Sequence, residues 1–200
     1  MVNEYYFDNF PELESERLIF RRFSIDDAPD VFEIRSDDRV MRFMDSHKHR
    51  NVYDSEGFIS KNFEIYKKGN GLFWAIVEKA SGELVGDFAF WRIEKENRRA
   101  EIGYSMKPKF WGKGFMTEAM DRLLRFGFTD LNLHSVEAEI NPENENSEKV
   151  LLRMGFKREA YFRENRFFDG WFLDSAIYSL LERDFKYDMS NLVASVNSKK

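Results

Sequence analysis

The chain has 200 residues, 42% of them hydrophobic and 16% aromatic, with no cysteine and a formal net charge of -5. That is enough apolar material for one well-buried core and hardly enough for two, and the lack of cysteine excludes disulfides, a thiolate metal site and a cysteine nucleophile. The negative balance gives no global attraction to nucleic acid or anionic lipid and leans instead toward cationic partners such as amines or basic protein tails.

Met1 to Pro11 lacks the basic and then apolar layout of a signal peptide. No stretch approaches the roughly 20 apolar residues that span a bilayer, so a cytoplasmic protein with no membrane partner is expected. Residues 1–15 read as a polar, acidic N-terminal extension, and Arg17 to Phe23 reads as a short strand that starts the domain. Ser24 with Asp27 three residues on has the form of a helix N-cap with an acid in the first turn. Ala28, Val31, Phe32 and Ile34 continue a helical stripe that ends near Asp37. Val40 to Met44 allows a short helical turn, and Asp54 or Ser55 opens a second helix that runs to Gly69.

From Leu72 the period changes. Leu72 to Val77 and Leu84 to Ile93 are β-rich runs, and Lys79 to Glu83 between them has the turn chemistry of an antiparallel hairpin. A third strand, Ala100 to Met106, leads into Pro108 to Ala119, where two glycines precede a helix predicted from near Thr117 through Leu131. Glycines at a helix start let consecutive backbone N–H groups converge on one anion, with the helix end adding positive dipole. Taken alone, Gly112 and Gly114 also fit an ordinary turn and cap.

His134 to Ile140 alternates as a strand, Asn141 to Ser147 is turn-rich and ends in an N-cap candidate, and Val150, Leu151 and Met154 form a short helix closed by Gly155. Phe156 to Arg163 and Arg166 to Leu181 read as two strands around Glu164-Asn165, with a further turn or bulge at Asp169-Gly170. The order β-α-α-β-β-β-α-β-α-β-β is a mixed α/β fold, a single domain over residues 16–182 with an antiparallel first half. Residues 183–200 form a polar tail.

With these parts in order, the chain resembles the GNAT superfamily of acyl-CoA-dependent N-acetyltransferases, in its RimJ/RimL-like branch. The resemblance runs from Arg17 to Leu181. It rests on Ala100 to Tyr104, on Trp111 to Ala119, on Asn141-Pro142-x-Asn144-x-x-Ser147 with Gly155-Phe156, and on Asp169-Gly170 and Asp174 before Ile177 to Leu181. In the central signature of that family, Trp111, Gly114 and Met116 occupy the key places and Gly114 matches strictly. The resemblance therefore implies a pyrophosphate held by main-chain N–H groups of Gly112, Lys113, Gly114, Phe115, Met116 and Thr117, with Trp111 at the loop entry.

It further implies a splayed central strand pair. The pantetheine arm of acetyl-CoA would lie in the gap against backbone of Tyr104, Ser105 and Met106, one amide holding the oxyanion, with Asn141 and Asn144 contacting the arm or fixing its loop. Removing the amine proton needs a base. Glu101 is the first candidate, with Asp87 and Glu139 as alternatives, and a solvated strand residue or ion-pair partner is the plainer reading of Glu101.

Where many relatives carry a Tyr as acid for the departing thiolate, this chain has Leu151; the branch points instead to Ser147, which also reads as a helix N-cap. His47 and His49 fall in a polar loop read as solvated rather than as a metal site, and Met44 to Tyr53 as a border of the acceptor cleft. Phe88, Phe90, Trp91, Phe167, Phe168 and Trp171 read mostly as core or sheet face.

The function implied is acetyl transfer from acetyl-CoA, without a metal, to a small-molecule amine or a peptide N-terminus by direct attack in a ternary complex. A homodimer is compatible with the sequence. The rivals are a catalytically weak acyl-CoA binding or sensing domain and a nucleotide-binding protein.

Overall fold

A computed structural model describes residues 1–186; the remainder of the expected polar tail, positions 187–200, lies outside the described residues. One sheet of eight strands carries the fold, in the order β1-β2-β3-β4-β5-β6-β8-β7. The strands are β1 (Leu13–Glu14), β2 (Leu18–Arg22), β3 (Gly71–Glu78), β4 (Leu84–Glu94), β5 (Arg99–Met106), β6 (Ser135–Ile140), β7 (Lys157–Phe168) and β8 (Trp171–Leu181). The helices are α1 (Tyr5–Asp8), α2 (Ala28–Ser36), α3 (Asp38–Met41), α4 (Val52–Lys67), α5 (Phe115–Thr129) and α6 (Glu145–Arg153). β1 to β5 are antiparallel neighbours, and β5 with β6 is a parallel pair, so the mixed sheet with an antiparallel first half is as expected. No described helix is long and apolar enough to cross a membrane.

Strand alternation sorts side chains to two faces. On β3, Leu72, Trp74 and Ile76 join the larger core beneath α5 and α6. Phe73 and Ala75 face the smaller core under α2 and α4, built around Val31, Ile34 and Ile59. The apolar stripe Ala119, Met120, Leu123, Leu124, Phe126 and Gly127 is buried on α5 as its spacing requires, and the helix starts at Phe115, one half-turn before Thr117. Gly127 is needed there, since a Cβ would stand 2.7 Å from the Phe90 ring.

The first fifteen residues are packed rather than loose: Val2 is buried, β1 pairs with β2, and the Trp74 indole donates to the Pro11 carbonyl at 2.7 Å.

Several local expectations are corrected. The second helix is capped by Asn51, whose Oδ1 accepts from Asp54 N, so Asp54 and Ser55 lie inside it. The last hairpin turns at Asp169-Gly170, with β7 and β8 paired from Phe168↔Trp171. Glu164-Asn165 is instead a bulge within β7, where Glu164 takes φ +51° and its N–H is held by Asp174. Phe88 and Phe90 are core, but Phe167 and Trp171 stand exposed at the hairpin tip, Trp171 at 74%. His49 is not a free loop residue: its Nδ1 lies 2.8 Å from the buried Ser55 hydroxyl and its ring leans on Phe58, while His47 is exposed and rests against Phe168.

Candidate active site

The glycine loop enters α5 through two residues in the left-handed region. Gly112 and Gly114 adopt φ of +72° and +80°, a region that costs an L side chain about 1–2 kcal/mol, and Gly114 is the N-cap of α5 with no side-chain acceptor over the first turn. The first N–H groups of the fifteen-residue helix therefore have no side-chain cap, and the helix dipole adds positive character at that end. Trp111 folds back so that its Nε1 donates to the Met106 carbonyl at 2.7 Å, which fixes the path from β5 into the loop. Lys113 lies with its ammonium over the Phe110 ring, and Thr117 Oγ1 sits 3.5 Å from Arg153 of α6.

Behind the loop, Glu118 in the first turn of α5 accepts from Arg17 N at 2.7 Å, Arg17 Nε at 2.6 Å and Ser15 Oγ at 2.7 Å. Arg17 Nη1 also donates to the Lys113 carbonyl at 3.1 Å, with its guanidinium over Phe115.

β5 and β6 pair only at Arg99↔Ser135, Ala100↔Val136 and Glu101↔Glu137, although β5 continues to Met106 and β6 to Ile140. The strands part immediately after Glu101, and the wedge between them opens toward the glycine loop. This is the expected splay, and it leaves the β5 edge at Tyr104, Ser105 and Met106 free of β6. At the end of β6, Asn141 Oδ1 accepts from Glu143 N at 2.9 Å and its carbonyl accepts from Asn144 N, so the two asparagines build the turn into α6. Asn144 is the N-cap: its Oδ1 accepts from Ser147 N at 3.1 Å, which corrects the expectation that Ser147 caps this helix.

Ser147 is freed for another contact. Its Oγ lies 2.6 Å from the hydroxyl of Tyr104, across the wedge between α6 and β5. Tyr104 stacks on Phe88 at 6.2 Å, and burial pushes its hydroxyl up to about 12 against the opposing hydrogen bond to Ser147.

The opposite face of the same strands carries the carboxylates. Glu101 stands at the last paired position with its side chain 11% exposed. Burial pushes its pKa up, while Arg92, 2.8 Å away, opposes and does not cancel the effect. Glu139 is clamped by Arg166 at 2.7 and 3.0 Å, which holds it below its ordinary value despite partial burial; Arg166 also reaches Asp45 at 3.2 Å. Asp87 accepts from Ser105 Oγ on the neighbouring strand. It keeps some surface open to solvent but is surrounded by protein, and this burial pushes it up against the pull of Arg35 and Ser105. Of the three carboxylates, Glu139 is thus the poorest base, and Glu101 and Asp87 sit where ionisation is costly.

Three further positions were not singled out from sequence. A Cβ on Gly86 would stand 2.4 Å from the Ser105 carbonyl, so only glycine lets β4 approach β5 beside the wedge; a lone glycine inside a strand pattern is the signal for such an approach. Lys107, 1% exposed, joins Asp30, Glu33 and Glu83 at 2.6, 2.6 and 2.9 Å. It lies near the surface beneath those carboxylates; burial alone would lower its pKa, but they outweigh it and raise it. The three carboxylates that converge there are neutralised by its ammonium and fasten α2 and the β3–β4 turn to the entry of the loop. Arg17 is the third, and no local pattern marks it.

Comparison with known proteins gives concordant findings. A model of the acetyltransferase (GNAT) domain matches residues 17–157. The Bacillus subtilis (strain 168) protein named uncharacterized N-acetyltransferase YoaA is 32% identical over 173 residues, covering 86% of this chain and 98% of that one. The Escherichia coli (strain K12) [ribosomal protein uS5]-alanine N-acetyltransferase is 28% identical over 123 residues, 61% of this chain and 63% of that one. Among solved structures, a GNAT-family acetyltransferase from Bacillus anthracis superposes with a TM-score of 0.78 at 29% identity, covering 86% of this chain and 99% of that one.

Proposed function

This chain belongs to the GNAT acetyltransferase family and is an acetyl-CoA-dependent N-acetyltransferase, and on that premise we propose that it acetylates a primary amine, on a peptide N-terminus or a small molecule, by direct attack in a ternary complex. The observation that carries this reading is the splay: β5 and β6 separate after Glu101, and the wedge runs out to an uncapped, glycine-bounded helix N-terminus. A long thioester would lie along that path. Its pyrophosphate would meet the N–H groups of Gly112 to Thr117, and its arm would pair with the free β5 edge at Tyr104 to Met106. A β5 amide there would hold the oxyanion.

The amine would enter from the carboxylate face, bordered by the Asp45 to Arg50 loop and the exposed aromatics of the β7–β8 hairpin. An amine must be neutral to attack, although a free lysine amine has a pKa near 10.4 and an α-amine about 8. Glu101, at the crotch of the wedge with its pKa raised, is positioned to take the proton directly or through a water. The relative named [ribosomal protein uS5]-alanine N-acetyltransferase supports the peptide class of acceptor.

The test is release of free CoA thiol from acetyl-CoA with peptides of defined N-termini, polyamines, aminoglycosides and amino acids. Thiol release that requires an acceptor, with an acetyl group gained by that acceptor in the mass spectrum, is the expected result. Tight acetyl-CoA binding with silence across the panel would favour a binding or sensing domain instead.

A further inference from the structure

On the carboxylate face two guanidiniums are committed: Arg92 is held by Glu101 at 2.8 Å and Arg166 by Glu139 at 2.7 Å. Arg35, in the last turn of α2, is not. Its guanidinium lies over the Phe58 ring at 4.1 Å, its Nε is buried without a hydrogen-bond partner, and among the described residues it makes no ion pair. Part of the residue stays open to solvent, so a ligand can reach it. The carboxylate that acts on it is Asp87, which stands opposite Ala75 and Ser105 in the sheet and so faces α2 and α4. Asp87 already accepts from Ser105 Oγ, and burial pushes it toward its uncharged form, which makes it a poor counter-ion. Burial accordingly holds Arg35 below its ordinary value against the pull of Asp87.

The same residue supports the loop that borders the acceptor cleft. The Arg35 carbonyl accepts from His49 N at 3.1 Å, and the His49 ring leans on Phe58. Burial and Arg35 both lower the His49 pKa, so at neutral pH the imidazole adds no second charge. A guanidinium laid on an aromatic ring keeps its donors along its edge, the arrangement that takes a carboxylate bidentately. A desolvated cation of this kind calls for an anion, and the protein supplies a poor one.

We propose that Arg35 binds a carboxylate carried by the acceptor, and that the acceptor is a peptide-like amine with an acidic group a few residues from the reacting nitrogen. This rests on the acetyl-transfer reading and narrows its acceptor class. The amine goes to Glu101, and the anion goes to Arg35 beside Asp87 and Ser105. Glu101 and Ser105 lie on one face of β5, about 13 Å apart at the ordinary strand rise. An α-amino acid, with amine and carboxylate on one carbon, is too short for that span. An N-terminal residue followed at the second or third position by an acidic side chain or a free C-terminus fits it.

The test compares acceptors that differ only in charge. Amidated peptides with Asp or Glu at the second or third position are set against their Asn and Gln isosteres, and short peptides with a free C-terminus against their amides. CoA thiol release at saturating acetyl-CoA is the readout. At least one acidic member should show kcat/KM about 50-fold above its isostere, with most of the difference in KM. Which pair shows it says whether the carboxylate is a side chain or a chain end. Arg35→Met should bring the ratio to about one. Arg35→Lys keeps the charge without the fork, guards against a variant that fails to fold, and should retain a ratio of about fivefold.

Equal kcat/KM for acids and isosteres in the wild type overturns the proposal. So does an unchanged ratio in Arg35→Met accompanied by a lower urea midpoint, which would make Arg35 a structural partner of Asp87. Acetylation of polyamines with silence across the acidic series overturns it and leaves acetyl transfer standing. Absence of thiol release with every amine overturns the acetyl-transfer reading itself, a separately visible result.

Discussion

Glu101 and Glu139 differ by two positions on neighbouring strands, yet their surroundings push them apart: burial raises the first and Arg166 lowers the second. Environment assigns the role where residue type cannot. A general base works only when ionised, so kcat should climb through an acid limb centred above the ordinary carboxylate value of 4.5. Glu101→Gln should lower kcat about 100-fold and abolish that limb, whereas Glu139→Gln should leave the limb in place; a pH–rate profile of the three proteins decides it. If Asp87→Asn rather than Glu101→Gln removes the limb, the base is Asp87. The candidates could be named from sequence because acids on adjacent strands are visible in alternation. Their ranking could not, because Arg92 sits on a bulge with φ +48° and Arg166 comes from a hairpin whose turn lies elsewhere than the polar Glu164-Asn165 suggests.

Among the elements, α5 shows best what one-dimensional pattern can and cannot reveal. Its apolar stripe and its glycine entry are local and were legible. Its anchoring to Ser15 and Arg17 spans about a hundred residues and left no periodic trace. The same holds for the hydroxyl pair across the wedge, 43 residues apart, and it explains why Ser147 read as a cap: Asn141, Asn144, Asn146 and Ser147 each suit that role, and only the fold selects Asn144. Burial raises the pKa of Glu118, but the Arg17 N–H, Ser15 and the Arg17 guanidinium together bring it below the ordinary value. The unfolded chain therefore holds the proton more tightly, so this bracket stabilises fully above pH 4.5 and fades as the pH falls through the folded value. Glu118→Gln should cost about 1–2 kcal/mol at pH 7 and progressively less as the pH is lowered below 4.5, measured by urea unfolding across that range, and should weaken CoA binding because the Lys113 carbonyl loses its partner's alignment.

Across the whole molecule, the two cores lie on either face of one sheet, and the N-terminal segment completes the larger of them. Val2 is buried, Tyr6 packs edge-on against Phe126, and Pro11 satisfies the Trp74 indole. Deleting residues 1–11 would leave a buried N–H without a partner and uncover aromatic surface. A loss of at least about 2 kcal/mol, with Trp74 emission moving to longer wavelength, is expected by chemical unfolding and fluorescence. Composition indicated a single core-bearing domain, the order of elements indicated a mixed class, and the hairpin at Lys79 to Glu83 gave the antiparallel half. The spatial order of the last strands was not legible, because no local signal states which edge a returning strand will join.

That order bears on how the protein is made. β8, the final described strand, does not sit at the rim but slots between β6 and β7, so a nascent chain that has emerged only to Phe168 holds β6 with an unsatisfied edge and β7 with nothing beside it. Until Trp171 to Leu181 leave the ribosome, the C-terminal half of the sheet lacks the strand that joins β6 to β7, and unpaired edges of that kind invite aggregation. Messages or proteolysis that stop short of Leu181 should therefore yield aggregates rather than a smaller soluble protein.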